Sequence, residues 1–466
     1  MTLCTAWYIV KKWTGWYTTG LDEYAFWGNG MENTATVAVK ADTGAVRSRA
    51  RLTVLGLITV GTMINYLDRA VLGVAAPSMT RELGLDAVVM GIVFSAFSWT
   101  YAAAQIPGGA FVDRVGARLS YFWSVSIWSV FTLLQGLASG LVSLLTFRLG
   151  LGVAEAPCYP TNSRVLSTWF PQHERARATG VYSVGQYFGL AFLSPLLFWI
   201  VAELGWRALF VIAGVAGLLF AAVWLKIYRD PQDHPTVNRA ELDYIEAGGG
   251  LGYRGTATPF AWRNIGALLK HRQVLGASIG QFAGNSTLVF FLTWFPTYLA
   301  TERNMGWLKV GFYAVMPFIA ASVGVLVGGW VSDTIIRRTG SATLGRKLPI
   351  LTGLLLASTI VIANFVDSDQ VVIAVLSVAF FGQGMVNLGW TLITDVAPKR
   401  LIGLTGGVFN LCANLAGIVT PLVIGVIVGA TGSFFYALAY IAFVALIGAL
   451  SYIFIVGEVK PVAMDV

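Results

Sequence analysis

Four ionisable side chains stand where charge is expensive: Asp68 and Arg69 fall inside one apolar run, residues 53–77, and Arg148 and Glu155 inside another, residues 140–162. At the centre of a membrane-spanning helix each costs about 2.5 to 3.5 kcal/mol, so together they represent roughly 10 kcal/mol before compensation. That cost requires partners or a water-filled path. Arg148 and Glu155 are two helical turns apart and share a face, whereas Asp68 and Arg69 sit about 100 degrees apart around their helix and can address different neighbours. A guanidinium keeps its charge and offers a planar fork that matches a carboxylate, which assigns Arg69 to an anionic ligand. Burial favours the protonated form of a carboxyl and a nearby Arg favours the charged form, so Asp68 and Glu155 suit proton carriers. Arg148 would hold one of these acids between transfers. The plainer alternative is that two acids and two bases neutralise one another as buried salt bridges.

The elements that must position these residues follow from composition. Hydrophobic residues make up 56% of the 466 and charged residues 12%, with mean hydropathy +0.70. A soluble chain needs no such balance for its core, so the solvent is mostly lipid. At about 20 apolar residues per span, the sequence allows about twelve helices and no separate soluble domain. Apolar runs lie near 53–77, 88–111, 119–138, 140–162, 176–201 and 207–228, then near 273–299, 309–332, 348–366, 370–394, 403–428 and 433–456. The expected organisation is an N-terminal extension (1–50), a six-helix bundle (51–228), a polar linker (229–272), a second six-helix bundle (273–457) and a tail (458–466).

Lys and Arg outnumber Asp and Glu by 31 to 23, and the excess gathers in alternate loops. This is the positive-inside pattern of a bacterial-type inner-membrane protein with both termini cytoplasmic, and it argues against a nucleic-acid partner. Gly108, Gly109 and Asp113 recur in the second half as Gly328, Gly329 and Asp333, and the same shift lays Asn65 on Asn285. Such halves, related by an axis along the membrane normal, place a binding site at their interface near mid-bilayer. The positions equivalent to Asp68 and Arg69 are Leu288 and Val289, so the packing of a half does not itself demand charge there.

Other signals are weaker. The aromatic stretch Trp7 to Trp27 lacks the core and cleavage site of a signal peptide, and Met31 opens a polar tract fit to be the true translation start. Cys4, Cys158 and Cys412 have neither disulfide nor zinc-ligand spacing. His173, His234 and His271 are expected at the surface, and Gly180, Gly185 and Gly189 read as helix packing rather than phosphate binding.

The run Gly108-Gly109-Ala110-Phe111-Val112-Asp113-Arg114-Val115-Gly116-Ala117-Arg118 resembles the signature loop of the major facilitator superfamily. In that loop the glycines pack two spans closely, and Asp113, Arg114 and Arg118, with Asp333 in the repeat, bridge helix ends as part of a gate. Asn65 to Ala70, Phe147 to Gly150 and Glu155-Ala156-Pro157 are similar to the anion:cation symporter family. Thr168 to Pro171, Leu292 to Pro296 and Leu401 to Asn410 resemble its sugar-acid branch, the galactonate and glucarate transporters. The resemblance runs from about Arg49 to Lys460. It implies an all-α membrane protein with twelve spans in two pseudo-symmetric halves, monomeric, that carries a sugar acid with a proton by alternating access and uses no cofactor.

The resemblance gives Asp68, Arg69, Arg148 and Glu155 the roles argued above. It adds Tyr101, Gln186, Asn387, Trp390 and Asn410 as substrate contacts, and Tyr66 joins them three residues before Arg69, on the same helix face. The sequence departs from the galactonate pattern at Asn387 and Gly389, where hydroxyl residues are expected, and Gly389-Trp390 is more like the glucarate transporters. Competing readings are a carrier of aromatic or dicarboxylic acids, an integral-membrane enzyme using the paired acids, for which no metal cluster, nucleophile motif or nucleotide loop is found, and a transport-derived sensor, for which the short linker and tail supply no domain.

Overall fold

A computed structural model describes residues 47–250, 262–398 and 402–462. Expectations that fall elsewhere, including the Met31 start and Cys4, lie outside the described residues. Ten helices are long and apolar enough to cross a membrane. One of them, Gln172–Ile227, makes two crossings across a bend at Gly205 (φ 81), and Ala117–Gln135 crosses as well, although its serines lower its hydropathy; twelve crossings result among the described residues.

The first half comprises α1 (Ala50–Leu83), α2 (Ala87–Val115), α3 (Ala117–Gln135), α4 (Leu141–Glu155), α5 (Cys158–Trp169) and α6 (Gln172–Ile227). Local sequence sets several boundaries. Gly84 closes α1 in the left-handed conformation, returning its N–H to Thr80, and Asp86 caps α2 by accepting from Val89 N at 2.8 Å. Pro157 has no N–H to donate, and the expected fourth span is accordingly two helices, α4 and α5, that part directly after Glu155.

The linker contributes α7 (Arg239–Ala247) and α8 (Trp262–Lys270). The second half comprises α9 (Arg272–Thr293), α10 (Trp307–Thr339), α11 (Ala342–Ser358), α12 (Asp369–Val386), α13 (Gly389–Val396), α14 (Ile402–Thr431) and α15 (Phe435–Phe454). Its fourth span is also broken, at Asn387-Leu388 between α12 and α13. The repeated glycines seat on these breaks: Gly108 packs on the Ala156-Pro157 backbone, and Gly328 on Met385.

The halves meet towards the membrane face opposite the linker. A Cβ on Gly91 would lie 2.7 Å from the Pro421 carbonyl oxygen, and one on Gly425 2.7 Å from that of Ala87, so α2 and α14 touch backbone to backbone only because both positions are glycine. Gly311 of α10 rests on Pro195 and Phe198 of α6. At the linker face the signature glycines Gly109 and Gly329 have open space around them.

The linker docks on the first half. Glu241 is fully buried and accepts from the N–H groups of Ala50 (2.9 Å) and Arg51 (3.3 Å), which caps the start of α1. The Arg51 guanidinium bonds Glu241 at 3.0 Å and Glu174 at 3.2 Å, and Tyr244 donates to Glu174 at 2.6 Å. His234, expected at the surface, is instead buried edge-on against Trp169 at 5.2 Å, because the linker folds back over the end of α5. Burial, with Arg229 nearby and partly offset by Glu241, holds its pKa below the ordinary imidazole range.

Two outcomes are expected. Removing one member of a buried ion pair costs about 3 to 5 kcal/mol; Glu241→Ala should therefore lower the melting temperature in detergent and open the linker to trypsin. Because the docked state holds His234 neutral, its contribution is present above the unfolded imidazole pKa of about 6.5 and is lost as pH falls. Limited proteolysis of the linker should accelerate between pH 7.5 and 5.5, and His234→Gln should flatten that dependence.

Candidate functional site

Because α4 ends at Glu155, its carboxylate lies at the helix break, and Arg69 of α1 reaches it there. Arg69 Nε donates to Glu155 Oε1 at 2.7 Å and Nη2 donates to the same oxygen, while Oε2 is buried without a hydrogen-bond partner among the described residues. The pair is thus not the two-oxygen fork. Glu155 is fully buried, whereas the Arg69 side chain keeps 17% exposure, so the cation alone is open to a ligand. Three rings surround the guanidinium carbon, those of Tyr101 at 4.8 Å, Phe97 at 5.0 Å and Tyr66 at 5.2 Å, and provide a cation–π cradle that holds it in place.

Asp68 and Arg148 are buried nearby but form no ion pair among the described residues, which rules out a closed four-charge cluster in this conformation. Asp68 turns to α3, beside Trp128, with Oδ2 unpartnered. Arg148 gives a long bond of 3.4 Å to the Phe94 carbonyl and lies over the Phe97 ring at 5.2 Å, with Nε and Nη1 unpartnered. Arg148 and Glu155 share the buried face of α4 as their spacing predicts, yet Glu155 bonds Arg69. Asn65, one turn before Asp68, is buried beside Glu155.

The neutral candidates divide. Tyr66 and Gln186 are joined to the Arg69 group through Tyr159, whose hydroxyl lies 3.3 Å from Tyr66 Oη and 3.4 Å from Gln186 Oε1. A phenol carries one proton, so Tyr159 donates to one of them at a time. Tyr187 donates to Gln383 of the second half at 3.2 Å and accepts from Asn387 at 3.5 Å, which ties Asn387 to the first half. Trp390 stands edge-to-face with Phe409 at 5.0 Å, and Asn410 accepts from Asn414 Nδ2 at 3.0 Å through its side chain. Among the described residues no hydrogen bond or ring contact joins these two to Arg69. Gly389 leaves room for Gln281, whose Oε1 would lie 2.6 Å from a Cβ there.

Sequence reasoning missed Tyr159, Tyr187 and Gln383. Tyr159 carried a usable signal, one turn beyond Glu155; the other two stood in ordinary helical sequence.

The gate residues are not bridged to one another in the first half. Asp113 and Arg114 are exposed, and Arg118 binds the Leu225 carbonyl at 2.8 Å, at the C-terminal end of α6. Arg164, also missed, donates to the Val112 carbonyl at 2.7 Å. In the second half Arg346 lies 3.7 Å from Asp333 and bonds Asp395 at 2.8 Å. Gly185 and Gly189 pack on Thr59 and Met63 of α1, in keeping with a packing role. Among the described residues no group of three His, Cys, Asp or Glu could hold a metal.

Comparison with known proteins places this arrangement. The Major Facilitator Superfamily profile matches residues 58–421. The chain is 47% identical over 423 residues to a D-galactonate transporter of Escherichia coli O6:H1, covering 89% of this chain and 97% of that one. It is 44% identical over 431 residues to a probable galactarate/D-glucarate transporter of Escherichia coli K12, covering 90% and 96%. A solved bacterial homolog to the human lysosomal transporter Spinster, inward-facing and occupied, shares the fold with a TM-score of 0.64 and 21% identity over 87% of this chain and 96% of that one. The protein is therefore a transporter rather than an enzyme, multi-pass in the inner membrane, and it belongs to the Major Facilitator Superfamily, beside the galactonate and galactarate/glucarate transporters that it resembles.

Proposed function

We propose that this chain takes up a sugar acid together with a proton, by alternating access between its two halves, as a monomer with both termini in the cytoplasm. The observation that carries the reading is the Arg69–Glu155 pair: a partly exposed guanidinium, cradled by rings, sharing one oxygen of a fully buried carboxylate. A substrate carboxylate offers Arg69 the two-oxygen fork that Glu155 does not supply. Glu155, stripped of its cation in a low-dielectric interior, then takes a proton rather than remain charged. Anion binding and proton uptake are thereby one event.

Asp68 supplies and receives that proton, and Arg148, within electrostatic reach of both acids, balances the site when either is ionised. The hydroxyl-rich body of the substrate meets Tyr66, Tyr101 and Gln186 from the first half and Asn387, Trp390 and Asn410 from the second. Names of relatives support galactonate, galactarate or glucarate as substrate. The amide of Asn387 and the Gly389-Trp390 pair fit the galactarate/glucarate side of that set.

The basic clusters at the linker face support a cytoplasmic linker. Halves that touch at the opposite face, with open space around Gly109 and Gly329, fit a conformation open to the cytoplasm.

Proteoliposomes loaded at neutral pH and diluted into acid should accumulate labelled galactonate, glucarate or galactarate, and abolishing the proton gradient should abolish accumulation. Gradient-independent uptake would sink the coupling. In Asp68→Asn and Glu155→Gln, accumulation should fall at least tenfold. Intact accumulation in both variants would remove these residues as carriers.

A further inference from the structure

The buried face of α3 does something the site description leaves unused. Tyr121, Ser124, Trp128, Thr132 and Gln135 recur every three or four residues, one stripe along the helix, and all are buried. The stripe passes Asp68, which lies beside Trp128. Beyond that point, away from the linker face, a run of polar atoms has no hydrogen-bond partner among the described residues: Ser129 Oγ, Thr132 Oγ1 and Gln135 Oε1. Hydroxyls that glue helices together find acceptors on a neighbour, as Ser124 Oγ does with the Ala154 carbonyl at 2.6 Å. These do not. Each unpaired polar group in an apolar interior costs on the order of 1 to 3 kcal/mol, and water with two or more such neighbours is the partner that removes that cost.

The two ends of the stripe differ. Towards the linker face the rings of Tyr121 and Trp224 (4.4 Å) and of Trp224 and Tyr228 (4.3 Å) pack against one another. Towards the other face the residues are small or flexible, and Gly217 of α6 makes way for the Ser129 hydroxyl, which a Cβ there would overlap. Gln135, whose amide nitrogen reaches only the Phe131 carbonyl at 3.4 Å, is followed by Gly136, packed on the backbone of Arg207. Arg207 and Glu82 form an exposed ion pair at that end. The eight residues from Trp128 to Gln135 span about 10 Å along the helix.

We infer that Ser129, Thr132 and Gln135 line a hydrated proton path between α3 and its neighbours that connects Asp68 to the periplasmic face, separate from the substrate cavity. The inference rests on the proposed proton symport. It gives Asp68 and Glu155 different exposures: Asp68 samples the periplasm through α3, and Glu155 meets whichever side the substrate cavity faces. Water carries the proton, and the carboxyl of Asp68 is where it is held.

The test uses the full chain in proteoliposomes with the double variant Thr132→Val, Gln135→Leu, which keeps shape and removes the polar lining. Substrate exchange at equal pH needs no net proton movement and should stay within twofold of wild type, whereas accumulation driven by a proton gradient should fall at least tenfold. Unchanged gradient-driven accumulation overturns the path, and so does an equal loss of both activities, which marks the residues as structural. Wild type that exchanges substrate but never responds to the gradient overturns the symport reading instead. If the double variant fails to fold, a Thr132→Cys chain with Cys4, Cys158 and Cys412 replaced by Ser should react with a small water-borne thiol reagent added from the periplasmic side. An inert thiol at that position also overturns the path.

Discussion

A carboxylate placed where no water reaches, and a single cation to hold it there, is the constraint on which this molecule turns. Glu155 has no exposure, and Arg69 meets it through one oxygen only. Breaking such a pair without replacement leaves a charge buried in apolar surroundings, which is far costlier than the pair is favourable. The cation can leave only if another anion takes it and a proton takes its place. That exclusion rule is what a coupled carrier requires, and it arises from burial and geometry rather than from any special reactivity.

The scaffold serves this constraint at several removes. Pro157 ends α4 directly after Glu155, so the acid lies at a break where a side chain from α1 reaches it, and Gly108 lets α2 close over that break. The rings of Tyr66, Phe97 and Tyr101 then restrict the guanidinium, and Arg148 lies within 5.2 Å of the same Phe97 ring. The glycine contacts Gly91–Pro421 and Gly425–Ala87 bring the halves together at one face, and the docked linker stabilises the start of the helix that carries Arg69. Each of these contacts is structural in itself; together they leave the Arg69 head group as the accessible charge of the site.

Much of this was legible in the sequence because membrane burial is so restrictive: hydropathy gave the spans, and charge inside an apolar run marked Asp68, Arg69, Arg148 and Glu155. What could not be read was pairing. Helical spacing put Arg148 and Glu155 on one face and correctly left Asp68 and Arg69 free to diverge, but which acid met which base depended on the break at Pro157 and the approach of α1. The fifth and sixth spans form one bent helix because Gly205 carries the turn alone, a backbone choice that apolarity does not encode. Tyr159 escaped notice since a tyrosine in a span is ordinary until its hydroxyl is placed between two others, and His234 since loop position does not disclose that a loop folds back.

The exchange of partners at Arg69 can be measured without any membrane. Titration of the detergent-solubilised protein with a sugar acid, by calorimetry in buffers of differing ionisation enthalpy, counts the protons taken up per ligand bound. The account requires about one proton taken up by wild type at neutral pH, and none by Glu155→Gln, which is already neutral. Binding with no proton uptake in wild type, or with undiminished uptake in Glu155→Gln, would contradict it.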